Sequence, residues 1–82
     1  MTQAQLSIIL DQLQNAQEQH LIKNFVFVKK RLPQDPTYIY IQFTNTTTPE
    51  AKIELQDYFF KQYHTETLLI NLGQILRVSV TP

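Results

Sequence analysis

The chain has 82 residues, of which 43% are hydrophobic and 17% are charged, and its formal net charge is zero. This length and composition indicate one small globular domain over residues 1–82, in which folding removes only about 60% of the surface that the unfolded chain exposes. The balanced charge excludes a protein that binds phosphate backbones or anionic lipids mainly through a general positive charge.

An amphipathic helix is predicted from Thr2 to about Lys23. Its apolar residues recur at spacings of three and four: Leu6, Ile9, Leu10, Leu13 and Ala16. This spacing is typical of a helix with one face towards a core. The opposite face carries glutamines and Glu18, so it is polar but nearly uncharged, and it suits either solvent or a partner.

A short strand is predicted over Phe25–Val28, where β-branched and aromatic residues alternate. Both sides of this strand are apolar, so either Phe25 and Phe27 or Val26 and Val28 could face the core. The following Lys29–Arg31 cluster is interpreted as a solvated strand edge that discourages further strand pairing. Pro33 and Pro36 then rule out continued pairing.

The second strand is predicted over Tyr38–Phe43, as the partner of the first in an antiparallel hairpin. Successive side chains of a strand point to opposite faces, so this strand has two rows. One row is a core row of Ile39, Ile41 and Phe43. The other, which we call the tyrosine row, consists of Tyr38, Tyr40 and Gln42. A chain this short has little material to cover the tyrosine row.

A second helix is predicted to begin at Thr48-Pro49-Glu50, which combines an N-cap hydroxyl, a proline at the first helical position and an acid in the first turn. Its apolar stripe is broad: Ala51, Leu55, Tyr58, Phe59 and Tyr63. Ile53 and Phe60 widen the stripe beyond what one sheet face needs. We therefore expect Ile53 and Phe60 to make a second contact.

Two further strands are predicted over Thr67–Leu72 and Gln74–Val80, on either side of Gly73, the only glycine. A three-residue hairpin loop with glycine in the third position is common, because glycine takes a positive φ without strain. With the loop Asn71-Leu72-Gly73, one set of side chains from the two strands would face the core: Leu68, Ile70, Leu76 and Val78. The other set would face away, beside the tyrosine row: Leu69, Ile75, Arg77 and Ser79.

The resulting order is αββαββ, and it predicts an α+β two-layer sandwich with two helices on one face of a four-stranded sheet. The ferredoxin-like βαββαβ fold gives the same order when its first strand is moved to the C-terminus. In that arrangement the Tyr38 and Ile75 strands are central, and the Phe25 and Leu68 strands lie at the edges.

No motif in the sequence identifies a reaction. The two histidines, His20 and His64, each follow a predicted helix, where a cation complements the helix dipole. A metal site would need His64 and Glu66 to meet His20 or Asp57, and helix capping explains the histidines better. There is no cysteine, no Gly-x-Ser-x-Gly motif around either serine, and no glycine-rich phosphate loop. We therefore predict no metal site, no cofactor and no enzymatic activity.

Met1-Thr2-Gln3-Ala4-Gln5 has no basic region typical of a secretory leader, and no apolar run approaches the roughly 18 residues of a membrane span. The sequence therefore predicts a cytoplasmic protein that does not contact membranes.

The open side of the sheet is the predicted site of function. Aromatic, aliphatic and arginine side chains with few charges are typical of interface cores. We expect a non-catalytic interaction domain, a homodimer or an assembly subunit with a protein partner. The predicted interaction residues are Tyr38, Tyr40, Gln42, Leu69, Ile75 and Arg77, with Ile53 and Phe60 as the second contact.

The alternative is a module that stacks the bases of single-stranded RNA on Tyr38 and Tyr40, as aromatic sheet residues do in RNA-recognition domains. The neutral charge and the lack of a string such as Lys-Gly-Phe disfavour a nucleic acid partner. Tyrosine hydroxyls can also simply shield an open sheet in water. Small-ligand sensing between sheet and helices has no specific signal.

Overall fold

A computed structural model of the protein describes residues 1–28 and 37–80. It contains the predicted types of element in the predicted order. The elements are α1 (Gln3–Glu18), β1 (Ile22–Val28), β2 (Tyr38–Phe43), α2 (Pro49–Tyr63), β3 (Thr67–Ile70) and β4 (Ile75–Ser79). The predictions for the Lys29–Arg31 cluster and for Pro33 and Pro36 concern residues outside the described part of the chain.

Both helices begin with a threonine N-cap. The N–H of Gln5 donates to Thr2 Oγ1 at 3.1 Å, and the Gln5 side chain accepts from the N–H of Thr2 at 2.9 Å, which completes a capping box. In α2 the N–H of Ala51 donates to Thr48 Oγ1 at 3.1 Å, with Pro49 in the first turn. The predicted start of the second helix is confirmed.

Helix α1 ends at Glu18, so the predicted end near Lys23 is wrong. His20 has a φ of 61°, in the left-handed region that ends a right-handed helix. The N–H of Leu21 donates to the Ala16 carbonyl at 2.9 Å, a hydrogen bond typical of a Schellman motif. The residues that follow are therefore free to enter β1, which begins earlier than predicted.

The four strands form one sheet in the order β1-β2-β4-β3, and every neighbouring pair is antiparallel. Strands β2 and β4 are central, and β1 and β3 are edges, as predicted. This is the strand order that a ferredoxin-like sheet has after its first strand is moved to the C-terminus. The α+β two-layer sandwich is confirmed.

The hydrophobic core lies between the sheet and the helices. Helix α1 contributes Ile9 and Leu13, and α2 contributes Phe59. The sheet and the residues beside it contribute Ile22, Ile39, Ile41, Phe43, Leu76, Val78 and Val80. Phe25 and Phe27 of β1 pack against this core from the edge, which settles the orientation that the sequence left open. Both helices therefore cover the same side of the sheet.

The predicted three-residue loop between the last two strands is wrong. Ile70 pairs directly with Ile75, so four residues, Asn71–Gln74, connect β3 to β4. One extra loop residue turns every side chain of β3 to the opposite face. Leu69 consequently pairs with the fully buried Leu76 and packs against the core, so its predicted place beside the tyrosine row is also wrong.

Candidate interaction surface

The side of the sheet opposite the helices carries a continuous surface, which we call the open face. Its middle row runs across all four strands as Val26, Tyr40, Arg77 and Leu68, each directly opposite the next. The flanking rows are Asn24, Gln42, Ile75 and Ile70 on one side and Val28, Tyr38 and Ser79 on the other. The open face therefore combines both hairpins.

The edges of the open face expose apolar side chains to solvent. Val26 is 54% exposed, Val28 44% and Leu68 49%. The central residues Tyr40 and Arg77 are half-buried, because their neighbours on both sides cover them. An exposed apolar surface of this kind on a small domain is typical of an interaction site.

Arg77 is the only charged residue in the three paired rows of the open face. Its guanidinium carbon lies 4.5 Å from the ring centroid of Tyr38, a cation–π contact worth about 0.5–2 kcal/mol depending on solvent access. Tyr38 and Tyr40 contact each other edge to face, with ring centroids 6.0 Å apart. Arg77 Nε is buried without a hydrogen-bond acceptor in the described part of the chain. The face thus has a packed aromatic and cationic centre with one unpaired donor.

Most of the predicted open-face residues are brought together. Tyr38, Tyr40, Gln42, Ile75 and Arg77 lie on the open face, as the register of β2 with β4 requires.

The sequence missed five residues of this surface: Asn24, which precedes the predicted first strand, Val26 and Val28, whose side it left open, and Leu68 and Ile70, which it placed in the core. No periodicity could have identified the last four, because Phe25–Val28 and Leu68–Ile70 are apolar at every position.

Ile53 and Phe60 lie elsewhere. They are 55% and 62% exposed on α2, in the helical layer on the other side of the sheet. Their spacing of seven residues places them on the same side of the helix, two turns apart. They form a separate exposed apolar pair and do not extend the open face.

The two histidines lie at the helix ends. His64 has a φ of 51° directly after α2, and its N–H donates to the Phe60 carbonyl at 2.9 Å. Among residues 1–28 and 37–80, no group of three or more His, Cys, Asp or Glu side chains could hold a metal ion. None of the helices in the same residues has the length and apolar character needed to cross a membrane.

Comparisons with protein-family models, with curated proteins and with solved structures gave no match for this chain.

Proposed function

We propose that this chain is a non-catalytic interaction domain that forms a homodimer, in which the open face of one copy packs against the open face of a second. The observation that carries the proposal is a largely apolar sheet face with one charged residue in its three rows, which no element among residues 1–28 and 37–80 covers. Most soluble oligomers are symmetric, and a twofold interface needs only one self-complementary surface.

The size of the open face fits a modest dimer. Four strands about 4.8 Å apart and about five residues long give a footprint of roughly 19 by 17 Å. Side chains make the surface uneven, so the accessible surface that each copy buries is larger than this flat footprint, roughly 500 Å². The pair would therefore bury roughly 1,000 Å². This is near the lower limit for a specific interface. We therefore expect an association that depends visibly on protein concentration.

The chemistry of the open face also supports a protein partner. Tyrosine and arginine are enriched at interface centres, and β-branched side chains add apolar area at little cost in side-chain entropy. Tyr40 and Arg77 are directly opposite each other on the two central strands, at the middle of the surface. A polar centre with an apolar surround fixes the orientation of a partner while the surround excludes water.

Binding of single-stranded RNA is less well supported. The guanidinium of Arg77 lies over one face of the Tyr38 ring, 4.5 Å from its centroid, so a base cannot stack on that face while the contact is made. The described open face offers one cation, whereas a groove for a nucleic acid backbone needs several.

The proposal is tested by the solution mass of the chain, measured by sedimentation over roughly two decades of concentration. Val26→Lys places a charge at the exposed edge of the open face and should give monomers wherever the natural chain is dimeric. Ile53→Lys is the matched control, because Val26 and Ile53 are 54% and 55% exposed. The control should keep the dimer. Tyr40→Arg tests the centre of the face.

Three outcomes would contradict the proposal. One is a natural chain that is monomeric at every concentration. Another is a dimer that Ile53→Lys disrupts and Val26→Lys does not, which would move the interface to α2. The third is single-stranded RNA binding that falls as salt rises and that Tyr40→Ala abolishes, since alanine removes the ring without adding a cation. The cytoplasmic location stays a prediction, which the distribution of a tagged chain in cells would check.

A further inference from the structure

A polar cavity of about 300 Å³ lies at the end of the sheet where β1 begins and β2 ends. The loop before α2, the first turns of α2 and the β3–β4 hairpin close its other sides. It shares Gln42 with the margin of the open face, but its other lining residues lie outside that face. The dimer proposal makes no use of this cavity.

The charges around the cavity have one sign. Lys23 and Lys52 line it, and no acidic residue in the described part of the chain does. The remaining polar lining consists of Gln42, Thr44, Asn45, Thr47 and Gln74. The three amides can donate hydrogen bonds, whereas the Thr44 and Thr47 hydroxyls lie 3.0 Å apart and one already donates to the other. Two cations and several neutral donors in one cavity favour an anionic ligand.

Lys52 is held within the fold. Its ammonium nitrogen lies 5.3 Å from the ring centroid of the buried Phe43, a cation–π distance. A Cβ atom at Gly73 would stand only 3.7 Å from the same nitrogen, so the ammonium lies against the hairpin. The side chain is half-buried, whereas most lysines extend into water. This arrangement keeps the positive charge at the wall of the cavity before any ligand arrives.

The start of α2 lies beside the cavity. Thr47 and Lys52, both lining residues, stand on either side of the Thr48 N-cap. The N-terminus of a helix carries roughly half a positive elementary charge. Glu50 in the first turn opposes this charge, but it is exposed and does not line the cavity.

We infer that this cavity binds the phosphate group of a small phosphorylated molecule. A lysine acts as a point charge on phosphate, and hydroxyl and amide donors satisfy the remaining oxygens. Small-molecule sites begin at about 300 Å³, so the cavity has room for a phosphomonoester and not for a dinucleotide.

The test uses inorganic phosphate and glycerol phosphate as probes, with chloride holding the ionic strength constant. Binding is followed by the backbone amide shifts of the natural chain. Both probes should produce saturable shifts at Thr44, Asn45, Lys52 and Gly73, with the tighter binding for glycerol phosphate. Lys52→Gln should weaken phosphate binding at least tenfold. Lys61→Gln removes a charge elsewhere on α2 and should leave the affinity unchanged.

Lys23→Gln provides a second variant if Lys52→Gln disturbs the contact with Phe43. The inference is overturned if chloride alone reproduces the shifts, or if both lysine variants keep the natural affinity. Shifts spread evenly over the surface would indicate nonspecific anion attraction and would also overturn it. The result can be separated from the dimer, because Lys52 lies outside the open face and the shifts can be measured at concentrations that favour the monomer.

Discussion

The two faces of the sheet differ in what covers them more than in what they contain. On β2 the buried Ile39 and Ile41 alternate with the half-buried Tyr38 and Tyr40. All four side chains have high strand propensity and large apolar surfaces. Two helices cover one face, and among the described residues nothing covers the other. Apolar strands therefore do not by themselves reveal which face is the core, and a surface for partners can be built from the same residue types.

The largest expected difference between the faces lies at two adjacent residues of β4. Leu76 is fully buried, whereas Ile75 is half-buried on the open face. Leu76→Ala should lower the free energy of unfolding by about 2–5 kcal/mol, because it removes apolar contacts and leaves a cavity. Ile75→Ala should lower it by about 1 kcal/mol or less, because the half-buried side chain leaves no enclosed cavity. Urea unfolding at a concentration that favours the monomer measures both.

Equal losses for these two variants would contradict the comparison. They would mean that the open face is covered within a single chain as thoroughly as the core. Measuring Ile75→Ala again at high concentration separates monomer stability from association, since a dimer would lose more there.

The next largest effect tests which side of β3 faces the core. Leu69 packs against the core, whereas Leu68 is 49% exposed on the open face. Leu69→Ala should lower the free energy of unfolding by about 1–3 kcal/mol, and Leu68→Ala by about 0.5 kcal/mol. The same urea titration distinguishes them. A larger loss for Leu68→Ala would favour the three-residue loop that the sequence predicts.

The error at β3 has a clear physical origin. The run Leu68-Leu69-Ile70 is apolar at every position, so periodicity carries no information about its faces. The only remaining signal is the length of the loop. A glycine in the third loop position favours a three-residue turn, but Asn71, Leu72 and Gly73 all take positive φ and Gln74 completes a four-residue loop. A leucine in the left-handed region is uncommon, so the sequence gives little warning of it.

The elements themselves were predictable where local chemistry agrees with the fold. Thr48-Pro49 marks the start of α2, and the alternation of β2 identifies a strand whose core row is fixed. The end of α1 was not predictable, because a histidine takes the left-handed position that glycine usually occupies. Most of the open face followed from β2 and β4, and the missing residues are those of the two edge strands.

A third test asks whether the open face adds stability only through association. If two copies pack together, the melting temperature of the natural chain rises with protein concentration, since dimer formation stabilises the folded state by mass action. Each tenfold rise in concentration adds about 1.4 kcal/mol per mole of dimer. Val26→Lys should melt at a temperature that does not depend on concentration. Scanning calorimetry at several concentrations makes the measurement, and a flat response of the natural chain would contradict the dimer.

The smallest expected effect concerns the loop that assigns the side chains of β3 to the two faces. Leu72 has a φ of 58° and is 99% exposed, so its side chain contributes almost no packing. Leu72→Gly should raise the free energy of unfolding by about 0.5 kcal/mol, because the left-handed strain it relieves, about 1–2 kcal/mol, exceeds the added entropy of the unfolded chain. Gly73→Ala should lower stability, since Gly73 has a φ of 78°. Chemical denaturation of both variants should therefore give changes of opposite sign, and a loss for Leu72→Gly would show that the exposed leucine makes a contact that stabilises the fold.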